Sequence, residues 1–308
     1  MYDRILVPLD GSPLAEKVLP YVTKISKGLG IPVRLIQAFA TPSEAMGDPQ
    51  HGRYMTGISA GVHDESIDYL DSVKRKIETP GVEITSEAHE GNAVSQIIDI
   101  AGKSPDSLVA MSTHGRSGVS RWVMGSVTDK VLHSIKNPML IVRGGNEGEP
   151  DTNLETIIVP VDGSSLAEEV IPHVAALAKG LGLKVTLLRV AATAAEFSAH
   201  TGYQRLEGEA GIHFPGFEEM AKEAGDQALT YLQKLEETLR GQGVDSVEHQ
   251  IVHGAAANVI VDVAQETPDN LVAMTTHGRS GPARWAMGSV ADKVVRHSGD
   301  PVLVVRVA

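Results

Sequence analysis

Short, unbroken aliphatic runs alternate along the chain with stretches of helical period. The runs occupy 5–9, 33–36, 82–84, 108–111 and 139–142, then 157–161, 185–188, 247–252, 271–274 and 302–305. Runs without polar alternation suit strands buried on both faces, as in parallel sheets covered by helices on each side. Between the first two runs, Leu14, Val18, Tyr21, Val22, Ile25 and Leu29 recur at helical spacing. They follow Ser12-Pro13, an N-cap residue and a proline suited to the first helical position. The spacing predicts a helix over 14–29 and others over 64–77, 93–101 and 126–134. Such alternation predicts doubly wound α/β architecture with right-handed crossovers. The segments 41–61 and 192–216 show no clean period and read as loops, either excursions over a cleft or simply mobile.

The pattern occurs twice. Ile5-Leu6-Val7-Pro8-Leu9-Asp10-Gly11-Ser12 returns as Ile157-Ile158-Val159-Pro160-Val161-Asp162-Gly163-Ser164, an offset of 152. Residues 105–131 return as 268–294 at an offset of 163, with 21 of 27 positions identical. The second copy therefore carries a net insertion of 11 residues in its middle. Gly144-Gly145-Asn146-Glu147-Gly148-Glu149-Pro150 has the composition of a linker. A tandem repeat of this length is expected to form two domains, 1–146 and 152–308, each with its own sheet.

Composition narrows the function. The chain has 27 Lys+Arg against 39 Asp+Glu, a formal net charge of -12, which argues against nucleic acid as a partner. It has no cysteine, excluding disulfides, thiolate metal sites and cysteine nucleophiles. No apolar run approaches the ~20 residues of a membrane span, and the first run is too short for a secretory signal. No membrane partner and a cytoplasmic location are the expectations.

Three segments of each copy converge where open α/β sheets bind ligands, outside the carboxyl ends of the strands. They are Pro8-Leu9-Asp10-Gly11, Glu90-Gly91-Asn92-Ala93 and the stretch from Met111 through Ser112, Gly115, Arg116 and Gly118 to Gly125-Ser126-Val127. In the second copy they are Pro160-Val161-Asp162-Gly163, His253-Gly254-Ala255-Ala256 and the stretch from Met274 through Thr275, Gly278, Arg279 and Gly281 to Gly288-Ser289-Val290. Glycines let backbone N–H groups approach a phosphate, and a helix start adds partial positive charge. Arg116, Arg121, Arg279 and Arg284 concentrate positive charge in an acidic chain. No Walker loop occurs. No catalytic triad or carboxylate pair recurs in both copies, and His249 with His253 lacks a third metal ligand, so neither a catalytic nor a metal set is assigned.

The third segment resembles the nucleotide loop of the universal stress protein family, which reads Gly, two residues, Gly, nine residues, then Gly followed by Ser or Thr. Gly115 with Gly125-Ser126 and Gly278 with Gly288-Ser289 match, whereas Ser112 and Thr275 stand where the family has its first glycine. A β-carbon there would crowd a ligand or strain a left-handed backbone. The resemblance implies two five-stranded parallel sheets of order 3-2-1-4-5 with helices on both faces. It also implies final strands that pair within the chain as a pseudo-dimer, leaving any homodimer to another surface. ATP, with Mg²⁺ held mostly by its phosphates, would lie across each switch point. Asp10 and Asp162 would meet the ribose, the backbone near Ala38 and Val190 the adenine, and Met111 and Met274 would precede the loop. Pro8 and Pro160 belong to the same set.

Each of these residues also has a purely structural reading. Ser126 with Asp129, and Ser289 with Asp292, form capping-box patterns. Asp10 and Asp162 suit Asx-turns. Trp122, Trp285, Met124 and Met287 read as packing anchors, and His114 and His277 as loop-ordering groups. The leading expectation is an adenine-nucleotide-binding module of stress regulation, against a nucleotide-free interaction scaffold or a slow ATP-hydrolysing enzyme. Glu90 against His253 predicts tighter anion binding in the second copy.

Overall fold

A computed structural model describes residues 1–40, 52–114, 124–144, 153–191, 216–278 and 287–307. The first half runs β1 (Arg4–Leu9), a 3-10 turn (Ala15–Val18), α1 (Leu19–Leu29), β2 (Val33–Phe39), α2 (Gly52–Lys76), β3 (Ile84–Glu90), α3 (Ala93–Lys103), β4 (Ser107–His114), α4 (Ser126–Ser134) and β5 (Met139–Gly144). The second repeats it as β6 (Thr156–Pro160), α5 (Ser165–Glu168), α6 (Ile171–Leu181), β7 (Lys184–Ala191), α7 (Gly216–Gly241), β8 (Val247–His253), α8 (Ala256–Glu266), β9 (Asn270–Thr275), α9 (Ser289–His297) and β10 (Val302–Val305).

Each half has the expected order, 3-2-1-4-5, with all pairs inside it parallel. The halves are one sheet. β5 and β10 pair antiparallel, Leu303 opposite Leu140, giving ten strands in the order β3-β2-β1-β4-β5-β10-β9-β6-β7-β8. Adjacent residues of a strand serve opposite faces: Ile5, Val7 and Leu9 belong to the apolar layer that includes α1 and α6, while Leu6 belongs to the layer that includes α3 and α4. Both apolar layers run through both halves, so the core is continuous across the pseudo-twofold.

Several boundaries differ from the sequence reading, three of them for a plain physical reason. β3 starts at Ile84 rather than 82 and continues through polar Ser86, Glu87 and His89. It is an edge strand, and Val82 is spent on a turn closed by Thr79 O. α2 already spans 52–61, where the sequence suggested a loop; Gly52, Gly57 and Gly61 weaken the helical signal there. The 14–29 helix is broken into a 3-10 turn and α1, whose first turn holds Pro20. Residues 145–150 of the linker lie outside the described residues.

Candidate functional site

The strand-one exits are built alike. Asp10 Oδ1 accepts from Ser12 N at 2.9 Å and Ser12 Oγ at 2.6 Å, and Asp162 Oδ1 accepts from Ser164 N and Oγ at the same distances. Each serine then accepts from a backbone N–H three residues on, Ala15 or Ala167. These are Asx-turns that start the next helical segment and fix one carboxylate oxygen. Gly11 and Gly163 adopt φ of 83° and 81°, open to glycine at no strain.

Opposite these exits, α4 and α9 begin. Their N-caps are Gly125 and Gly288, and no side chain caps either helix. The capping boxes expected at Ser126 and Ser289 are therefore not formed, because each serine is already the first helical residue and its hydroxyl cannot fold back over the turn. Asp129 and Asp292 are instead taken by Arg296, at 3.0 and 2.8 Å.

Between exit and helix lies a cavity in each half. The first, of about 990 Å³ including open solvent, is lined by Pro8, Asp10, Ala38, Met111, Ser112, Gly125, Ser126 and Val127, with Leu14, Ala93 and Ile97 among its other walls. The second, of about 730 Å³ on the same measure, is lined by Pro160, Asp162, Val190, Met274, Thr275, Gly278, Gly288, Ser289 and Val290, with Arg189, Ala256, Ile260 and His277. Both cavities sit between the tips of the first and fourth strands of a half, the switch point of the sheet. Gly115, Arg116, Gly118, Arg279 and Gly281 lie outside the described residues, as do Arg121, Arg284, Trp122 and Trp285.

The two departures from the glycine pattern are accommodated without backbone strain. Among the described residues the positive φ of a non-glycine belongs to Asp269, so Ser112 and Thr275 are unstrained. Thr275 Oγ1 donates to His277 O at 2.8 Å, and Ser112 Oγ to Ala15 O at 3.4 Å. Gly278 is required for a different reason: a Cβ there would overlap the Asp162 carboxylate. At Gly288 an added Cβ would stand 3.0 Å from Thr276 O, which already accepts from Gly288 N at 2.8 Å.

Other expectations resolve locally. His277 Nδ1 lies 3.1 Å from Thr276 Oγ1, a loop-ordering contact, and its Nε2 is buried without a protein partner. Met124 is 6% exposed and belongs to the core. His249 faces Glu236 at 2.9 Å, and no metal-ligand cluster occurs among the described residues. Glu90 and His253 end their strands and are absent from the cavity linings, so the argument they gave for a tighter second copy does not hold. Among the described lining residues, Arg189 is the cation that the second cavity has and the first lacks, and the sequence reading passed over it. Its Nη1 donates to Val161 O at 3.2 Å, where the first half has Gln37 beside Gly11. Alignment at the offset of 152 exposes that pair, but a strand residue next to Val190 reads as pleat alternation until the strand tip is seen.

Residues 1–143 and again 153–306 match the model of the universal stress protein family. A universal stress protein of Methanocaldococcus jannaschii is 30% identical over 143 residues, covering 46% of this chain and 83% of that protein. One of Mycolicibacterium smegmatis is 22% identical over 307 residues, 98% of this chain and 96% of the relative. In three dimensions the chain resembles the crystal structure of a universal stress protein from Archaeoglobus fulgidus. The TM-score is 0.65 at 20% identity, over 98% of this chain and 96% of the other.

Proposed function

The chain belongs to the universal stress protein family in tandem two-domain form, and from that premise we propose that each half binds an adenine nucleotide, ATP with Mg²⁺ on its phosphates. The bound chain would act as a cytoplasmic regulatory module of the stress response rather than as an efficient enzyme. The observation that carries this reading is the repeated cavity walled by an Asx-fixed aspartate on one side and an uncapped, glycine-led helix start on the other.

The residues fit the group. Uncapped first-turn N–H groups are an anion site in search of a partner. Ser126, Val127, Ser289 and Val290 would offer theirs to phosphate, with Gly125 and Gly288 permitting close approach. The oxygens of Asp10 and Asp162 suit a ribose diol, and apolar Ile36, Ala38 and Ile97, or Leu188, Val190 and Ile260, suit a purine face. Within this reading the domains are 1–146 and 152–308. No helix among the described residues is long and apolar enough to cross a membrane.

Mass spectrometry of the purified, denatured chain should release adenine nucleotide, and calorimetry should show binding that falls at least about tenfold in Gly115→Val plus Gly278→Val. Full affinity in that folded double variant refutes the site. No nucleotide released and no heat on titration favours the interaction scaffold, and many ATP turnovers per chain favour the enzyme.

A further inference from the structure

The helices that face the two cavities also face each other. Arg306 of the second half donates to His133 O and Ile135 O at the end of α4, at 2.8 and 2.9 Å. Arg143 of the first half donates to Arg296 O and Ser298 O at the end of α9, at 2.9 and 3.3 Å. The two clamps are equivalent at the offset of 163, and each sets a cation at a helix carboxyl end, where the dipole favours it. One contact breaks the symmetry. Arg296 Nε holds Asp292 of its own helix at 2.8 Å, while Nη2 reaches Asp129 of α4 at 3.0 Å. Its counterpart His133 keeps Nδ1 on its own helix, 2.7 Å from Asp129 O.

We propose that Arg296 is a positioning residue shared by both cavities, resting on the nucleotide reading above: it neutralises and orients the anion-facing ends of α4 and α9 together. Asp129 and Asp292 are each the fourth residue of their helix, one turn from the cavity wall. An acidic side chain there satisfies the helix dipole and repels an incoming phosphate. The guanidinium cancels both charges with a two-pronged geometry that lysine or histidine cannot copy. Both helices span nine residues, so each is a rigid rod of about 13 Å from cavity to clamp. The first cavity thus depends on a residue of the other half.

The test uses the full chain. Gly278→Val disables the second cavity, so that calorimetry with ATP reads the first. Arg296→Gln in that background is expected to weaken the first cavity about five- to tenfold, a usual size for coupling between distant sites. Adding Asp129→Asn should restore most of the loss, since it removes the uncompensated carboxylate; a merely structural role predicts further loss instead. Unchanged affinity on Arg296→Gln overturns the proposal. Amide exchange without ligand separates it from the nucleotide reading. Arg296→Gln should speed exchange about fivefold at the first hydrogen-bonded amides of both helices, those of Asp129 and Asp292 and the residues just after them, and a change confined to α9 overturns the shared role. Coupled exchange in a chain that takes up no ATP would leave Arg296 in place and sink the nucleotide reading alone.

Discussion

Thr275 occupies a place where the family pattern has glycine, yet its backbone is unstrained and its hydroxyl closes a turn on His277 O. Thr275→Gly should therefore cost about 1 kcal/mol from the lost hydrogen bond, with a further fraction from glycine's chain entropy. ATP affinity should change less than about twofold. A lower melting temperature checks the first part, and a tenfold gain in calorimetric affinity would mean that the side chain had been obstructing the cavity. Gly278 stands at the other extreme, since its Cα is backed by the Asp162 carboxylate. Both substitutions concern the same loop, but one tests a tolerated side chain and the other a forbidden one. Loop spacing made both positions legible as candidates in the sequence. Which of them tolerates a β-carbon depends on Asp162, more than a hundred residues away along the chain, and no local pattern carries that information.

The elements that join the halves meet at two places. On one face α1 crosses α6, where a Cβ added to Gly28 would come 2.8 Å from Gly180 O. Small residues allow that approach, so Gly180→Val should overpack the crossing and lower stability by about 1–3 kcal/mol in urea titration, with secondary structure kept. An unchanged midpoint would show that the helices separate freely. In the sheet, Val304 lies between Met274 of β9 and Met139 of β5. Val304→Pro removes a ladder donor and inserts a ring between central strands, so it should cost about 3 kcal/mol or more and loosen the particle. A variant as compact and stable as the wild type would show that the β5–β10 seam contributes little. The strands themselves were readable from aliphatic runs. α2 was only partly readable, because Gly52, Gly57 and Gly61 in its first turns lower helical propensity and interrupt the apolar spacing.

One ten-stranded sheet with two through-running apolar layers makes the chain a single particle. Small-angle scattering should give a radius of gyration near the ~19 Å of a compact chain of this length, and two lobes of variable separation would contradict the seam. The halves also meet through Tyr2, whose hydroxyl lies 2.8 Å from Nδ1 of His173 on α6. Burial, with the N-terminal amine adding to it, lowers the pKa of His173 from 6.5 to about 4. The folded chain keeps the ring neutral, whereas the unfolded chain takes up a proton near pH 6.5. The stabilisation is therefore intact above that pH and lost as pH falls from about 6.5 to 4, with no further loss below. Such a shift is worth up to about 3 kcal/mol, less at a partly exposed ring. Unfolding free energies at pH 7.5 and 5 should fall more steeply in the wild type than in His173→Gln, and parallel profiles would contradict a ring held neutral.

The duplication, the α/β class and the position of the candidate loop were written locally, whereas the strand order came from the family resemblance. Repeated motifs, aliphatic runs and glycine spacing are properties of neighbouring residues, set by pleat, helical period and backbone sterics. Packing between distant segments decided the rest. Ser126-x-x-Asp129 satisfies a capping pattern on paper, but Asp129 is claimed by Arg296 from 167 residues away. Glu90 and His253 were the visible charge difference between the copies, and the fold leaves both outside the cavities while bringing Arg189 to one of them. A residue's type fixes which partners it can satisfy, and the chain's path through the sheet fixes which of them it meets.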